Sequence, residues 1–204
     1  MIISMYKGYE HTIVITNRML VQGDFFQQME KVIRLHPHAV ILREKDLPDD
    51  AYEVMAEKLL KLCAAENVKC FLHSRVLAAK RLGCSRIHVS VPFLEAMGED
   101  KREQLRKDFE EISVSCHSME DMELAVKSGA SQIILGTIFE TECKKGLKGK
   151  GVEFVREVCE KCPVPVYAIG GINMERLPII MQAGAAGGCM MSGFMQLKDH
   201  GSNH

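Results

Sequence analysis

Apolar residues along the chain fall into eight short runs separated by longer amphipathic stretches. The runs are TIVIT (12–16), AVILRE (39–44), KCFLHS (69–74), RIHVS (86–90), ISVSC (112–116), QIILG (132–136), VYAIGG (166–171) and GGCMMS (187–192). Several are apolar at successive positions, Val40, Ile41 and Leu42 among them. A strand of that kind must be covered on both faces, which is the condition of a parallel sheet. Between the runs, helical spacing predicts helices over 24–36, 50–67, 75–83, 101–111, 118–129, 152–162 and 174–184. Pro48 and Asp49 precede the second, and Ser118 with Asp121 opens the fifth in the manner of a capping box. Strand and helix alternate about eight times, so the expected fold is α/β, a (β/α)₈ TIM barrel spanning residues 1–204 as one domain. The last unit, GFMQLKDHGSNH, predicts a short or truncated final helix. An open doubly wound sheet is the alternative architecture.

Composition narrows the function classes. A chain of 204 residues that is 47% hydrophobic can bury one sizeable core. Its formal net charge of -1 gives no general attraction to nucleic acid or to a membrane surface. No apolar run approaches the length of a membrane span, and the first residues lack a signal-peptide pattern. The expectation is a cytoplasmic protein whose 8 cysteines are reduced. The lone CxxC, Cys159 and Cys162, reads as a helix end, because zinc needs further ligands.

Catalytic groups of a (β/α)₈ barrel sit at the carboxyl ends of its strands. Gly170 and Gly171 follow run seven, and Met191, Ser192 and Gly193 follow run eight. Those two loops are the usual phosphate site of the fold, with backbone N–H groups and a following helix start favouring an anion. The loop after run six, GTIFETECKKGLKGKG, offers Thr141 and Lys144 or Lys145 to the same ligand, while Lys148 and Lys150 read as solvated charges. Arg43 and Lys45 are two apart at the end of run two, so alternation aims both the same way, toward an anionic group. His117 lies just before a capped helix and is the residue best suited to move a proton near neutrality. His73 and His88 also end strands; His11, His36, His38, His200 and His204 read as peripheral.

The stretches VILREKD, VSCHSMEDMELAVKSGASQIILGTIFETECKKGLKGKG, VPVYAIGGI and AGAAGGCMMSGF resemble, in that order, the motifs of the thiamine phosphate synthase/TenI family. The resemblance runs from Ile13 to Phe194, and FETECKKGLKGKG with His117–Ser118 is most similar to TenI, the thiazole tautomerase. It implies a barrel that binds a thiazole ethyl phosphate. Gly171 and Ser192 then fall on its phosphate loops, Thr141 and Lys144 on the sixth loop, and Arg43 and Lys45 on the cationic pair after strand two. The synthase branch joins a pyrimidine pyrophosphate to the thiazole with Mg²⁺. Its Asn-Asp pair after strand three is replaced here by His73 and Ser74, and its aspartate after strand four by the window holding Ser90, Val91 and Phe93. Cys143 stands where the synthase carries threonine. The implied activity is therefore tautomerisation without metal or cofactor, with His117 as the acid/base and His73 beside the substrate. Alternatives are the synthase itself and a non-catalytic binder of the phosphorylated ligand. A homo-oligomer, a dimer, is the expected assembly. Glu44 receives no role.

Overall fold

The computed structural model describes residues 8–140 and 149–198. Eight parallel strands close into a barrel in sequence order, β8 pairing back onto β1. They are β1 (Thr12–Ile15), β2 (Ala39–Leu42), β3 (Lys69–His73), β4 (Arg86–Ser90), β5 (Glu111–Cys116), β6 (Gln132–Gly136), β7 (Val166–Ile169) and β8 (Gly187–Met190). The helices are α1 (Phe25–Ile33), α2 (Asp49–Ala65), α3 (Val76–Arg81), α4 (Val91–Glu95), α5 (Glu99–Asp108), α6 (Met119–Lys127), α7 (Gly151–Lys161), α8 (Leu177–Gln182) and α9 (Ser192–Met195). The closed barrel excludes the open-sheet alternative.

Local chemistry explains the boundaries. The Asp24 carboxylate accepts from Gln27 N at the start of α1, and the Ser118 hydroxyl accepts from Asp121 N at the start of α6. Asp49 and Asp50 occupy the first turn of α2, where the helix dipole favours negative charge. The sequence pattern misses α4. Five residues are too short to display a helical period, and Pro92 reads as a breaker although it is well placed in a first turn. The last helix is short as expected, with four residues in α9.

The core has two shells. Inside the barrel, Ile13, Ile15, Ile41, Phe71, Ile134, Tyr167 and Cys189 fill one layer set. Outside it, the other strand face packs against the helices through residues such as Met29, Leu42, Tyr52, Leu72, Ile87, Leu94 and Ile133. Each such side chain contributes roughly 1.5–3 kcal/mol on burial. The interior is not uniformly apolar. On β4 and β5 the inward positions are His88, Ser113 and Ser115, and the His88 ring bonds both serines, Nδ1 to Ser113 Oγ at 2.9 Å and Nε2 to Ser115 Oγ at 2.8 Å. At the foot, Glu111 bridges Lys69 (2.8 Å) and Arg86 (2.7 Å). His11 and His38 are foot residues too. His38 is half-buried and stacks on Tyr167 at 5.1 Å, at the end of the barrel away from the mouth. Among the described residues no helix is long and apolar enough to cross a membrane, and the cysteines there are free thiols.

Candidate active site

The carboxyl ends of β1 to β4 converge on a polar cleft. Strand β2 stops at Leu42, so Arg43 and Lys45 lie on a loop and not on a strand, and the alternation argument for their common direction fails. Arg43 is half-buried and Lys45 exposed. Both still act on the same neighbours. His73, at the end of β3, is held down to about 4, first by burial and then by the charges of Lys45 and Arg43. His88, its ring tilted against His73 at 5.5 Å, is pushed to about 3 by burial, then by His73, Arg43 and Lys45. Both imidazoles are therefore neutral at physiological pH. A cavity of about 380 Å³ opens here, lined by Glu44, Lys45, His73, Ser74, Arg75 and Ser90. A larger one, about 540 Å³, opens at the foot beside Cys63, Cys70 and Cys84. Size does not decide between them, because the converging polar groups are at the mouth.

Glu44 has a role that the sequence did not disclose. It is 2% exposed and accepts from Thr16 Oγ1 (2.7 Å), Arg18 N (3.0 Å) and Arg18 Nη1 (3.0 Å). Arg18 also grips Asp46. Arg18 thus holds both carboxylates of the loop after β2. The signal was latent in the barrel register. Ile15 pairs with Ile41, and Arg18 and Glu44 are separated by the same 26 positions. Tyr52, buried under the same rim, donates to Leu42 O (2.8 Å) and accepts from His73 N (3.1 Å), tying the ends of β2 and β3.

His117 is the first residue after β5, exposed on the rim. It is fixed at three points. Its N–H donates to Asp121 Oδ2 at 2.6 Å, its carbonyl accepts from Lys150 Nζ, and its Nδ1 bonds Gly136 O at the end of β6. A carbonyl oxygen can only accept, so that bond places the proton on Nδ1 and leaves the lone pair on Nε2. Lys150 is exposed, as expected of a solvated charge, and it also bonds His117 O and lies 4.5 Å over the Phe154 ring.

The rim continues directly to the β7 loop. Ile138 N donates to Ile169 O (2.9 Å) and Phe139 N to Gly170 O (3.0 Å). Gly170 and Gly171 have φ of +101° and +62°, conformations that favour glycine. A Cβ on Gly170 would also lie 2.4 Å from Thr137 Cγ2. Among the described residues, no hydrogen-bond acceptor is found for the amides of Gly171, Ile172, Ser192 and Gly193. A Cβ on Gly193 would meet no atom within 4 Å, so the space over that loop is open. Met191 accepts a 3.8 Å contact from Asn17 Nδ2 and joins β8 to β1. One element of the expectation is corrected. The helices α8 and α9 have six and four residues, and α8 starts only at Leu177, so neither aligns enough peptides for a strong helix dipole at these loops. Thr141 and Lys144, with Lys145, Lys148 and Cys143, lie outside the described residues.

A (β/α)₈ barrel whose seventh and eighth loops carry open amides, with an anchored imidazole at the end of its fifth strand, is the class that these features define. Within it, a family model described as thiamine monophosphate synthase matches residues 12–194, and the chain belongs to that family. The chain is 28% identical over 182 residues to the putative thiamine-phosphate synthase 2 of Aquifex aeolicus, covering 89% of this chain and 96% of that one. It is 32% identical over 181 residues to the thiamine-phosphate synthase of Lysinibacillus sphaericus, covering 84% and 81%. The thiamine phosphate pyrophosphorylase of Pyrococcus furiosus shares the fold, with a TM-score of 0.80 at 24% identity over 94% of this chain and 90% of that one.

The divalent cation implied for the synthase branch was tested against the donors present. Mg²⁺ prefers carboxylate and other hard oxygen ligands. The positions in question carry an imidazole at His73 and hydroxyls at Ser74 and Ser90, and the carboxylate of Glu44 is already committed to Thr16 and Arg18. Among the described residues no group of three or more His, Cys, Asp or Glu side chains is placed to hold a metal. This donor set does not fit the ion.

Proposed function

We propose that this chain is a metal-independent thiazole tautomerase, an isomerase that aromatises a carboxythiazole ethyl phosphate in thiamine biosynthesis. The observation that carries the reading is the fixed tautomer of His117, whose Nε2 lone pair is held at the rim beside β6 and β7. In this reading Nε2 takes the proton from the ring carbon that bears the carboxylate. The C–H electrons enter the ring system, and the same proton is then returned to the exocyclic carbon. No net charge or electron leaves the substrate. Arg43 and Lys45 face the carboxylate, neutral His73 lies beside the ring, and the amides of the Gly170–Gly171 and Met191–Gly193 loops hold the phosphate. Family membership supports a thiamine-pathway substrate, and the misfit of a hard cation at His73, Ser74 and Ser90 is what favours a reaction that needs none.

The names of the relatives favour a second reading, the synthase reaction that couples a pyrimidine pyrophosphate to the thiazole phosphate. One experiment separates the two. Aromatisation of the carboxythiazole phosphate is followed in excess EDTA, and thiamine phosphate formation is followed with both substrates and Mg²⁺. Expected are turnover in EDTA, a loss of about 10²-fold or more in His117→Ala, and no coupling. Efficient coupling would establish the synthase instead. Tight ligand binding with neither reaction would mark a non-catalytic binder.

A further inference from the structure

Arg176 stands in the turn between the β7 loop and α8, and no role in the reading above uses it. Its guanidinium makes two contacts that belong to different loops. Nη1 donates to Gly171 O at 2.7 Å, and the cation lies 4.7 Å over the ring of Phe139, which follows β6. Its own backbone is anchored, since Arg176 N donates to Asn173 Oδ1 at 2.9 Å. The two loops are already stitched where Phe139 N meets Gly170 O. They are also close-packed, because a Cβ on Gly171 would lie 2.8 Å from Phe139 Cβ and 2.9 Å from Glu140 O.

We infer that Arg176 is a positioning residue that latches the β6 and β7 loops into one wall of the phosphate cradle and so selects phosphorylated over unphosphorylated ligands. This rests on the cradle reading given above. The physical argument is the planarity of the peptide. Gly171 C=O and Ile172 N–H point in opposite directions across one trans unit. Holding the carbonyl toward Arg176 turns the Ile172 N–H away from it, and Gly171 at φ +62° is otherwise free to rotate that plane. With one edge on Gly171 O and one face on the Phe139 ring, the guanidinium orients the donors and does not itself meet the ligand. Arginine is required in this role. Its planar fork can donate to a carbonyl while stacking on a ring, and a lysine ammonium cannot do both with the same geometry.

The test compares the wild-type chain with Arg176→Ala, Arg176→Lys, Phe139→Ala and the Arg176→Ala/Phe139→Ala double variant. Calorimetric affinities are measured for thiazole ethyl phosphate and for the thiazole alcohol lacking phosphate. KM and kcat are measured for the carboxythiazole phosphate. Expected is a roughly tenfold loss of affinity for the phosphate ester in Arg176→Ala, with alcohol binding unchanged. KM should rise while kcat stays within about twofold, the sign of lost uniform binding. Arg176→Lys should not restore affinity, and the double variant should lose no more than the larger single loss, since the two residues act as a unit. Because Arg176 is exposed, its melting temperature should move by less than about 2 °C. Wild-type ester affinity in Arg176→Ala would overturn the latch. If Gly193→Val still abolished ester binding in that case, the cradle would stand without it. Full rescue by lysine would replace the latch with a simple charge effect and overturn it as well. Equal wild-type affinity for ester and alcohol would remove both the latch and the cradle.

Discussion

Glu44 shows how one buried carboxylate organises the mouth. It is fully committed to Thr16 Oγ1, Arg18 N and Arg18 Nη1, and Thr16 Oγ1 in turn accepts from Arg43 N at 2.9 Å. The chain of bonds therefore runs from β1 through Glu44 to the backbone of the cationic loop. Asp46 binds the same arginine from a side chain 60% exposed. The magnitudes differ accordingly. Removing the buried partner strands donors in a dry site and costs roughly 2–4 kcal/mol, whereas a solvated pair contributes about 0–1 kcal/mol. Urea unfolding should show Glu44→Ala shifted by the larger amount and Asp46→Ala by the smaller. Equal shifts would mean that Glu44 is not the organising contact. Because Glu44 fixes Arg43, the Glu44 variant should also weaken substrate binding, read as a raised KM.

At the scale of elements, β6 is held against β7 with no room for a side chain at its end. A Cβ on Gly136 would lie 2.4 Å from Ile169 Cγ2 and 2.5 Å from Ile169 O, and the second of these is backbone that cannot swing aside. Gly136 O is also the acceptor that sets the His117 tautomer. Gly136→Ala must push β6 from β7 and disturb that bond at once. The expected outcome is a stability loss of roughly 1–3 kcal/mol, with kcat falling further than KM rises. A normal kcat in a folded Gly136→Ala protein would show that the bond to His117 is dispensable. The strands themselves were legible in the sequence because burial on both faces leaves continuous apolar runs. Their ends were less so. Run two reads through Arg43 and Glu44, yet β2 stops at Leu42, where the chain must turn to aim Glu44 inward. That His117, Gly170 and Ser192 stand just past strand ends was legible, because the apolar runs stop there. The Arg18–Glu44 pair and the Arg176–Phe139 contact were not, because each joins segments whose adjacency depends on barrel register and loop path, which no local pattern encodes.

For the whole molecule, the buried imidazoles set the acid limit of stability. His73 and His88 have folded pKa values near 4 and 3, and burial likewise lowers His38 at the foot. An unfolded histidine titrates near 6.5. Between that value and the folded one, the unfolded chain binds a proton that the folded chain refuses, so stability must fall as pH falls. Each such imidazole contributes a slope of up to about 1.4 kcal/mol per pH unit in that window. Carboxylates with lowered values behave in the same sense but lower on the scale. Glu111 resists burial only through Lys69 and Arg86, and its contribution is lost as pH drops below the ordinary carboxylate range. The histidine and carboxylate regimes are thereby separable. Urea melts at pH 7, 6 and 5 should show a progressive loss that begins well above the carboxylate range. His88→Asn should lower stability at pH 7, because it loses the bonds to Ser113 and Ser115, yet flatten the decline between pH 6.5 and 5. It is the change of slope, not the absolute loss, that identifies the proton. A wild-type protein equally stable at pH 7 and pH 5 would mean that the polar column inside β4 and β5 accepts charge, and that the mouth is wetter than its geometry requires.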